Sequence, residues 1–221
     1  MIDVAIFIPA QESNKYHELG DIAPFGDTTL LNWKISQCKE FVPPSQIFVS
    51  SCSVKIKEIS EKEGVNHVMR EADDGSVEEQ LNTFSSYIGY GNILWVNATS
   101  PFLGGREYAS MLKNFSANKS CNLLISTIEK YEYTFFENEK VNFQSLTPRA
   151  ELKPVNICTN GAFLMDRKSL IDQNGLHNMK DVCFHNLDII SSTEIKDIDS
   201  YSIAQNLITV YFSRLLGSAN V

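Results

Sequence analysis

Several signatures are missing from this sequence, and each absence removes a class of function. There are five cysteines (Cys38, Cys52, Cys121, Cys158 and Cys183), and no two stand at C-x-x-C spacing. A zinc site or a disulfide framework therefore has no footing. The odd count and mostly apolar neighbours predict reduced, buried thiols, as in a cytoplasmic protein. The four histidines, His17, His67, His177 and His185, are far apart with no helical pair, so each reads as a surface or capping residue rather than a ligand. No G-x-S-x-G or P-loop lysine motif occurs, and hydrolase and P-loop readings fall with them. No apolar run approaches the ~20 residues that span a bilayer. The Met1-Ile2-Asp3-Val4 start has no basic n-region, so no signal peptide is expected there. There is no excess of basic residues either. The net charge is −8, which argues against a nucleic-acid binder, since those carry a basic face. An acidic chain that handled a triphosphate would need a divalent cation or a local basic cluster.

What is present is ordinary globular composition, with 43% hydrophobic and 21% charged residues, so a folded chain rather than a disordered one is expected. The length of 221 residues suits one α/β domain or two smaller ones. Val4-Ala5-Ile6-Phe7-Ile8-Pro9 reads as a buried strand. Leu30, Leu31, Trp33, Ile35 and Cys38 recur at helical spacing, with Asp27 and Thr28 as candidate caps. Residues 47–49 read as a strand and 54–63 as a helix ended by Gly64. Ser76 followed by Glu79 is a capping-box pattern that starts a helix over 76–88. Strands at 93–96 and 123–128 flank a helix at 107–115. Residues 161–165 resume a strand, 193–198 read as the last strand, and 201–216 as the last helix. Strands alternating with helices imply right-handed crossovers and a mostly parallel sheet. Such a sheet places its ligand at the carboxyl ends of its strands. The polar loops after Pro9 and after Val96 are therefore expected to line the site. Between Tyr131 and Pro154 the rhythm breaks, and Tyr133, Phe135, Phe136, Val141 and Phe143 around Glu137-Asn138-Glu139 read as a hairpin or arm. Exposed aromatics there would suit a subunit interface, and covering the domain's own core is the equal alternative.

The loop after the first strand runs Ile8-Pro9-Ala10-Gln11-Glu12-Ser13-Asn14-Lys15, reaches Pro24 and continues to Leu30-Leu31-Asn32-Trp33. It resembles, without a gap, the opening of the acylneuraminate cytidylyltransferases and their relatives acting on acidic sugars, I-P-A-R-G-G-S-K-x-x-P-x-K-N followed by P-L-x-G-x-P-L-I-x-W. Further stretches are similar to the same family: Val68-Met69-Arg70 with Asp73-Asp74-Gly75-Ser76, Trp95 to Phe102 around Asn97-Ala98-Thr99-Ser100-Pro101, Arg149 to Val155, and Asn160-Gly161-Ala162-Phe163. The last is Asp197-Ile198-Asp199 for the family's D-I-D. That text match leaves the segment before Ala204 about three residues short; an ungapped alignment to Ala204 instead puts Glu194 and Lys196 in those positions.

The resemblance runs from Val4 to Leu207. It implies a three-layer α/β domain over residues 1–221, nucleotide-diphospho-sugar transferase-like and Rossmann-like, with a dimerisation arm at about 131–154 and a homodimer. It implies that CTP is joined to an acidic keto-sugar with release of pyrophosphate. Pro9, Ala10, Gln11, Lys15, Arg70, Ser76 and Asn97 would face the nucleotide. Asn97, Thr99, Arg149, Asn160 and Gly161 would face the sugar. Asp197 and Asp199 would hold Mg²⁺ and, with Lys15, serve catalysis. The departures concern charge. Gln11 stands at the family's arginine, Glu12-Ser13 at its double glycine, and Gly20 and Asp21 at its lysine and asparagine. Like charges ~4 Å apart cost on the order of 4 kcal/mol at an effective dielectric near 20, so Glu12 and Asp21 are expected to repel phosphates. This motivates two other readings: a catalytically impaired homologue that binds a nucleotide or sugar, or a divergent transferase using another nucleotide. Membrane and nucleic-acid partners are not expected.

Overall fold

A computed structural model describes residues 2–71 and 76–218; Asp73, Asp74 and Gly75 of the third motif lie outside the described residues. The strands are β1 (Val4–Pro9), β2 (Pro24–Phe25), β3 (Thr28–Thr29), β4 (Ile47–Ser51), β5 (Asn66–Met69), β6 (Asn92–Val96), β7 (Leu123–Lys130), β8 (Phe135–Phe136), β9 (Glu139–Lys140), β10 (Val155–Asp166) and β11 (Val182–Asn186). The helices are α1 (Leu30–Lys39), α2 (Val54–Lys62), α3 (Val77–Tyr87), α4 (Gly105–Ala117), α5 (Arg167–Asp172) and α6 (Ile198–Ser218).

Seven strands form one sheet in the order β11-β7-β10-β6-β1-β4-β5. It is mostly parallel, as expected; β10 alone runs antiparallel to its neighbours β6 and β7. Alternation along the strands splits the core into two layers. Val4, Ile6 and Ile8 pack with Leu31, Ile35, Ile56 and Tyr108 on the face covered by α1, α2 and α4. Ala5 and Phe7 pack with Leu81, Phe84 and Leu170 on the face covered by α3 and α5. Both faces are buried, which is why the β1 sequence is a continuous apolar run rather than an alternating one. A third cluster joins α6 to the loops at one end of the sheet through Tyr16, Phe25, Ile195, Tyr201 and Ala204.

The order fixes the site. From β1 the chain moves outward through β4 to β5, then returns to β6 on the other side of β1. That reversal is a topological switch point, and it opens a crevice between the loops that leave the carboxyl ends of β1 and β6.

Local signals behave largely as the sequence implies. Ser76 and Glu79 form the capping box of α3, and Gly64 closes α2 with φ +69°. The hairpin at Phe135–Lys140 turns through Glu137 and Asn138, both at positive φ, and Phe135 and Phe136 are exposed. Four expectations need correction. The cap of α1 is Thr29, whose hydroxyl accepts from Asn32 N–H, rather than Asp27 or Thr28. Residues 193–197 form no strand. They run beside the loop after β6, held by Ile195 N–H to Thr99 O at 2.8 Å, with Ile195 buried under α6. The last strand is β11, on the sheet edge, with Val182 and Phe184 facing out and His185 buried. His185 is therefore no surface histidine: it meets Asn114 at 2.8 Å, and burial moves its pKa down. Finally, all five cysteines are free thiols, but only Cys38 and Cys121 are buried; Cys158 is exposed. Among the described residues no helix is long and apolar enough to cross a membrane.

Candidate active site

The switch-point crevice is a cavity of about 560 Å³. Pro9, Gln11, Asn14 and Asp21 line it from the loop after β1, Arg70 from the end of β5, and Gln80 from α3. Trp95, Asn97, Ala98 and Thr99 line it from β6 and its loop, Asn160 and Phe163 from β10, and Leu176 and Glu194 complete the wall. A smaller cavity of about 370 Å³ adjoins it, sharing Asn14, Thr99, Asn160 and Glu194 and adding Lys15 and Lys196.

The loop after β1 is braced by its own side chains. Asp21 is buried, and its carboxylate accepts from Gln11 N–H at 2.7 Å and from Tyr16 O–H at 2.7 Å. Burial and the Asp21 charge push the Tyr16 phenol above its ordinary value, so it stays a donor. Gly20 sits at φ +50°, and a Cβ there would lie 2.3 Å from Gln11 O and 2.7 Å from Ser13 N. Only glycine fits where the loop closes on itself. Glu12 turns away from the cavity: it pairs with Lys55 at 2.5 Å and accepts from the Ser53 hydroxyl. The Lys55 ammonium and then that hydroxyl hold its pKa below the usual carboxylate range. The expected repulsion from Glu12 is thus met by a local cation, while Asp21 does line the cavity.

The loop after β6 is braced from outside, by α1. Lys34 is fully buried and donates to Ser100 O (2.8 Å), Leu103 O (2.6 Å) and Tyr108 Oη (2.9 Å). Trp33 and Gln37 both donate to Pro101 O, at 2.5 and 2.8 Å. Burial pushes Lys34 down to about 8. Sequence reasoning missed this lysine, although a signal existed: it lies three residues after Leu31 and four after Leu30, on the helix's apolar face.

The residues named from sequence divide into three groups. Pro9, Gln11, Arg70, Asn97, Thr99 and Asn160 line the main cavity, and Lys15 lines its annex. Ala10 and Gly161 sit behind the wall. Ala10 O accepts from Arg70 Nη2 at 2.8 Å. Gly161 O accepts from Asn97 N–H at 3.3 Å, and a Cβ at Gly161 would meet Leu103 Cδ2 at 2.7 Å. The Asn97 side chain ties the two strands, accepting from Trp95 Nε1 at 3.1 Å and donating to Asn160 O. The rest stand elsewhere. Ser76 caps α3. Arg149 pairs with Glu132 at 3.1 Å near the base of the arm. Asp197 accepts from Ser200 N–H at 2.8 Å and its hydroxyl at 2.7 Å, contacts that hold its pKa low. Asp199 lies in the first turn of α6. Neither aspartate lines either cavity. Residues the sequence did not suggest for binding are Asn14, Asp21, Gln80, Trp95, Phe163 and Leu176; Glu194, which the ungapped alignment put at a metal position, does line the cavity.

The donor set for Mg²⁺ is correspondingly thin. This hard cation takes one or two carboxylates beside substrate phosphates. Among the described residues, the carboxylates that line the cavities are Asp21, occupied as above, and Glu194, paired with Lys196 at 3.2 Å. Among the described residues no group of three or more His, Cys, Asp or Glu side chains is arranged for a metal ion. The described residues do not make a preformed magnesium site.

Comparison with solved structures defines the class of fold. The chain has the nucleotide-diphospho-sugar transferase-like α/β architecture. A cytidylyltransferase from Leptospira borgpetersenii superposes with a TM-score of 0.64 at 16% identity, covering 95% of this chain and 88% of that one. The 4-diphosphocytidyl-2C-methyl-D-erythritol synthase of Anaerococcus prevotii gives 0.68 at 14% identity, covering 93% and 98%. A CMP:2-keto-3-deoxy-manno-octonic acid synthetase complexed with CTP gives 0.59 at 10% identity, covering 77% of each chain. No protein-family model matches the sequence, and no curated protein matches it.

Proposed function

We propose that this protein is a nucleotidyltransferase that binds CTP in the switch-point cavity and joins it to an acidic keto-sugar. The observation that carries this reading is the cavity's lining. In a fold shared with cytidylyltransferases, one wall is apolar (Pro9, Trp95, Phe163, Leu176) and the other offers amides and a guanidinium (Gln11, Asn14, Asn160, Arg70). An apolar wall with a few convergent polar groups is what an orienting small-molecule site needs. The sugar hydroxyl attacks the α-phosphorus, the new O–P bond forms as the bond to the β-phosphate oxygen breaks, pyrophosphate leaves, and the hydroxyl proton passes to solvent. Catalysis of such a displacement is mainly positioning and charge neutralisation. Arg70 and Lys15 neutralise phosphate charge; Thr99 and Asn160 orient the acceptor; Asn97 holds the floor on which they sit. Arg149 is engaged with Glu132 instead. The exposed Phe135 and Phe136 of the arm support a homodimer formed there.

The test is pyrophosphate release with each of the four nucleoside triphosphates and several keto-sugar acids, beside CTP binding by calorimetry. CTP-dependent release, with Arg70→Met weakening CTP roughly thirtyfold, the scale of one charge-assisted hydrogen bond, supports the reading. Release with a different triphosphate moves it to a divergent transferase. A second reading, a binding protein without catalysis, rests on one observation: Gln11 stands where the resembled family has arginine, and Arg70 is the single cation among the described residues of the main cavity. CTP binding without turnover of any acceptor would favour it.

A further inference from the structure

The annex of the cavity is lined by two lysines, one of which, Lys196, falls in the ungapped alignment where the resemblance leads one to expect a metal-holding carboxylate. Lys15 enters it from the loop after β1, and Lys196 from the segment before α6. Both are fixed at the backbone. Lys15 N–H donates to Asn14 Oδ1 at 2.8 Å, and Lys196 N–H donates to Ser200 Oγ at 2.8 Å. The preceding residue, Ile195, is buried and bonded to Thr99. The Lys196 side chain is 66% exposed, and it pairs with Glu194 at 3.2 Å. The annex opens into the main cavity through Asn14, Thr99, Asn160 and Glu194, so a ligand lying across Thr99 meets Arg70 at one end and both lysines at the other. The acidic groups nearby are Glu194, paired to Lys196, and Asp197, bonded to Ser200 and close enough to Lys15 to feel its charge.

We propose, building on the nucleotide-site reading above, that Lys15 and Lys196 form a polyphosphate subsite whose ammonium groups do the neutralising that a divalent cation would otherwise do. A lysine ammonium is a compact point charge with three donors and suits phosphate oxygens. The Glu194 side chain is only 11% exposed, so it keeps its partner and holds the Lys196 ammonium at the wall, and the remaining donors of that ammonium face the phosphate. The consequence is polyphosphate binding that does not require Mg²⁺.

The experiment is calorimetric titration of the full chain with CTP and with inorganic tripolyphosphate, each in EDTA and in Mg²⁺, on the wild type, Lys196→Ala, Lys15→Ala and Lys196→Asp. Both lysines are exposed, so thermal melts of the variants should overlay the wild type. The expected result is binding in EDTA within about threefold of that in Mg²⁺, and a loss of about tenfold in EDTA for either alanine variant, the scale of one solvent-accessible charged contact. Lys196→Asp, which puts a carboxylate beside Glu194, should lose binding in EDTA and regain it with Mg²⁺. Binding that appears only with Mg²⁺ overturns the subsite while leaving the nucleotide reading intact. Binding in EDTA that neither alanine variant weakens overturns it as well. If CTP binds under neither condition, the nucleotide reading itself falls and takes the subsite with it.

Discussion

The two loops that frame the cavity leave neighbouring parallel strands, yet they are held by opposite charges and from opposite directions. The loop after β1 closes on a buried carboxylate of its own, Asp21, which consumes a loop N–H and a loop hydroxyl. The loop after β6 closes on a buried ammonium brought by α1, Lys34, which consumes two loop carbonyls. The first is therefore a local device, complete within about a dozen residues of sequence. The second depends on contacts 66 to 74 residues apart. A locally braced loop can change its binding chemistry without disturbing the sheet; a loop pinned by a helix cannot.

Substitutions at the two braces sharpen this contrast. The largest effect is expected for Lys34→Met, which keeps the apolar stem and removes three hydrogen bonds from a buried charge. A loss of about 3 kcal/mol and a fall of about 10 °C in melting temperature should follow, read by urea unfolding and calorimetry. A variant as stable as the wild type would mean that α1 merely packs against the loop. Gly20→Lys comes next. It restores a cation at the position where the resembled family carries one, but its Cβ collides with Gln11 O. Strain of about 2 kcal/mol from the positive φ and the clash is expected, with CTP affinity lowered rather than raised. Tighter binding by this variant would break the account of the loop.

A smaller effect concerns pH. Lys34 sits at about 8 when folded, against an ordinary 10.5. Between those values the unfolded chain holds the extra proton, so this group makes stability rise with pH through that window. The slope is at most about 1.4 kcal/mol per pH unit. Cys38, pushed up to about 12 from 9.0 by burial, works in the other sense above its ordinary value, so the clean window is roughly pH 8 to 9. Urea unfolding there should show the wild type gaining about 1 kcal/mol relative to Lys34→Met; parallel curves would contradict the buried ammonium. The smallest change is Gln11→Arg. Its site lines the cavity beside Arg70, and a second guanidinium should tighten CTP by roughly three- to tenfold in titration, with no change in melting temperature.

How much of this was legible in the sequence follows the same local-against-distant line. β1, the capping box at Ser76 and Glu79, Gly64 as a helix stop and the hairpin at Glu137-Asn138 all declare themselves within a few residues, and the structure carries each. The parallel sheet and the position of the cavity followed from the order of those elements. β11 was not legible because its pattern is inverted, with Val182 and Phe184 outward on an edge and His185 inward. The segment 193–197 looks like a strand because Ile195 is apolar, but that side chain is buried by α6 and not by a neighbouring strand. Charges were the least legible feature. Nothing near Glu12 in sequence announces Lys55, and Asp21 reads as a repulsive group until its two donors are seen. Lys34 was visible as a charge on an apolar face, but its partners on the loop after β6 were not.

The central claim is that the crevice between these two loops takes a nucleoside triphosphate. The most direct measurement is amide NMR of the ¹⁵N-labelled protein titrated with CTP to millimolar concentration. Shifts should concentrate at Gln11, Asn14, Lys15, Thr99, Asn160 and Glu194 and need roughly thirtyfold more CTP in Arg70→Met. A spectrum that CTP leaves unchanged, or shifts that gather on the opposite side of α1 around Trp33, Phe102 and Ile189, would contradict it.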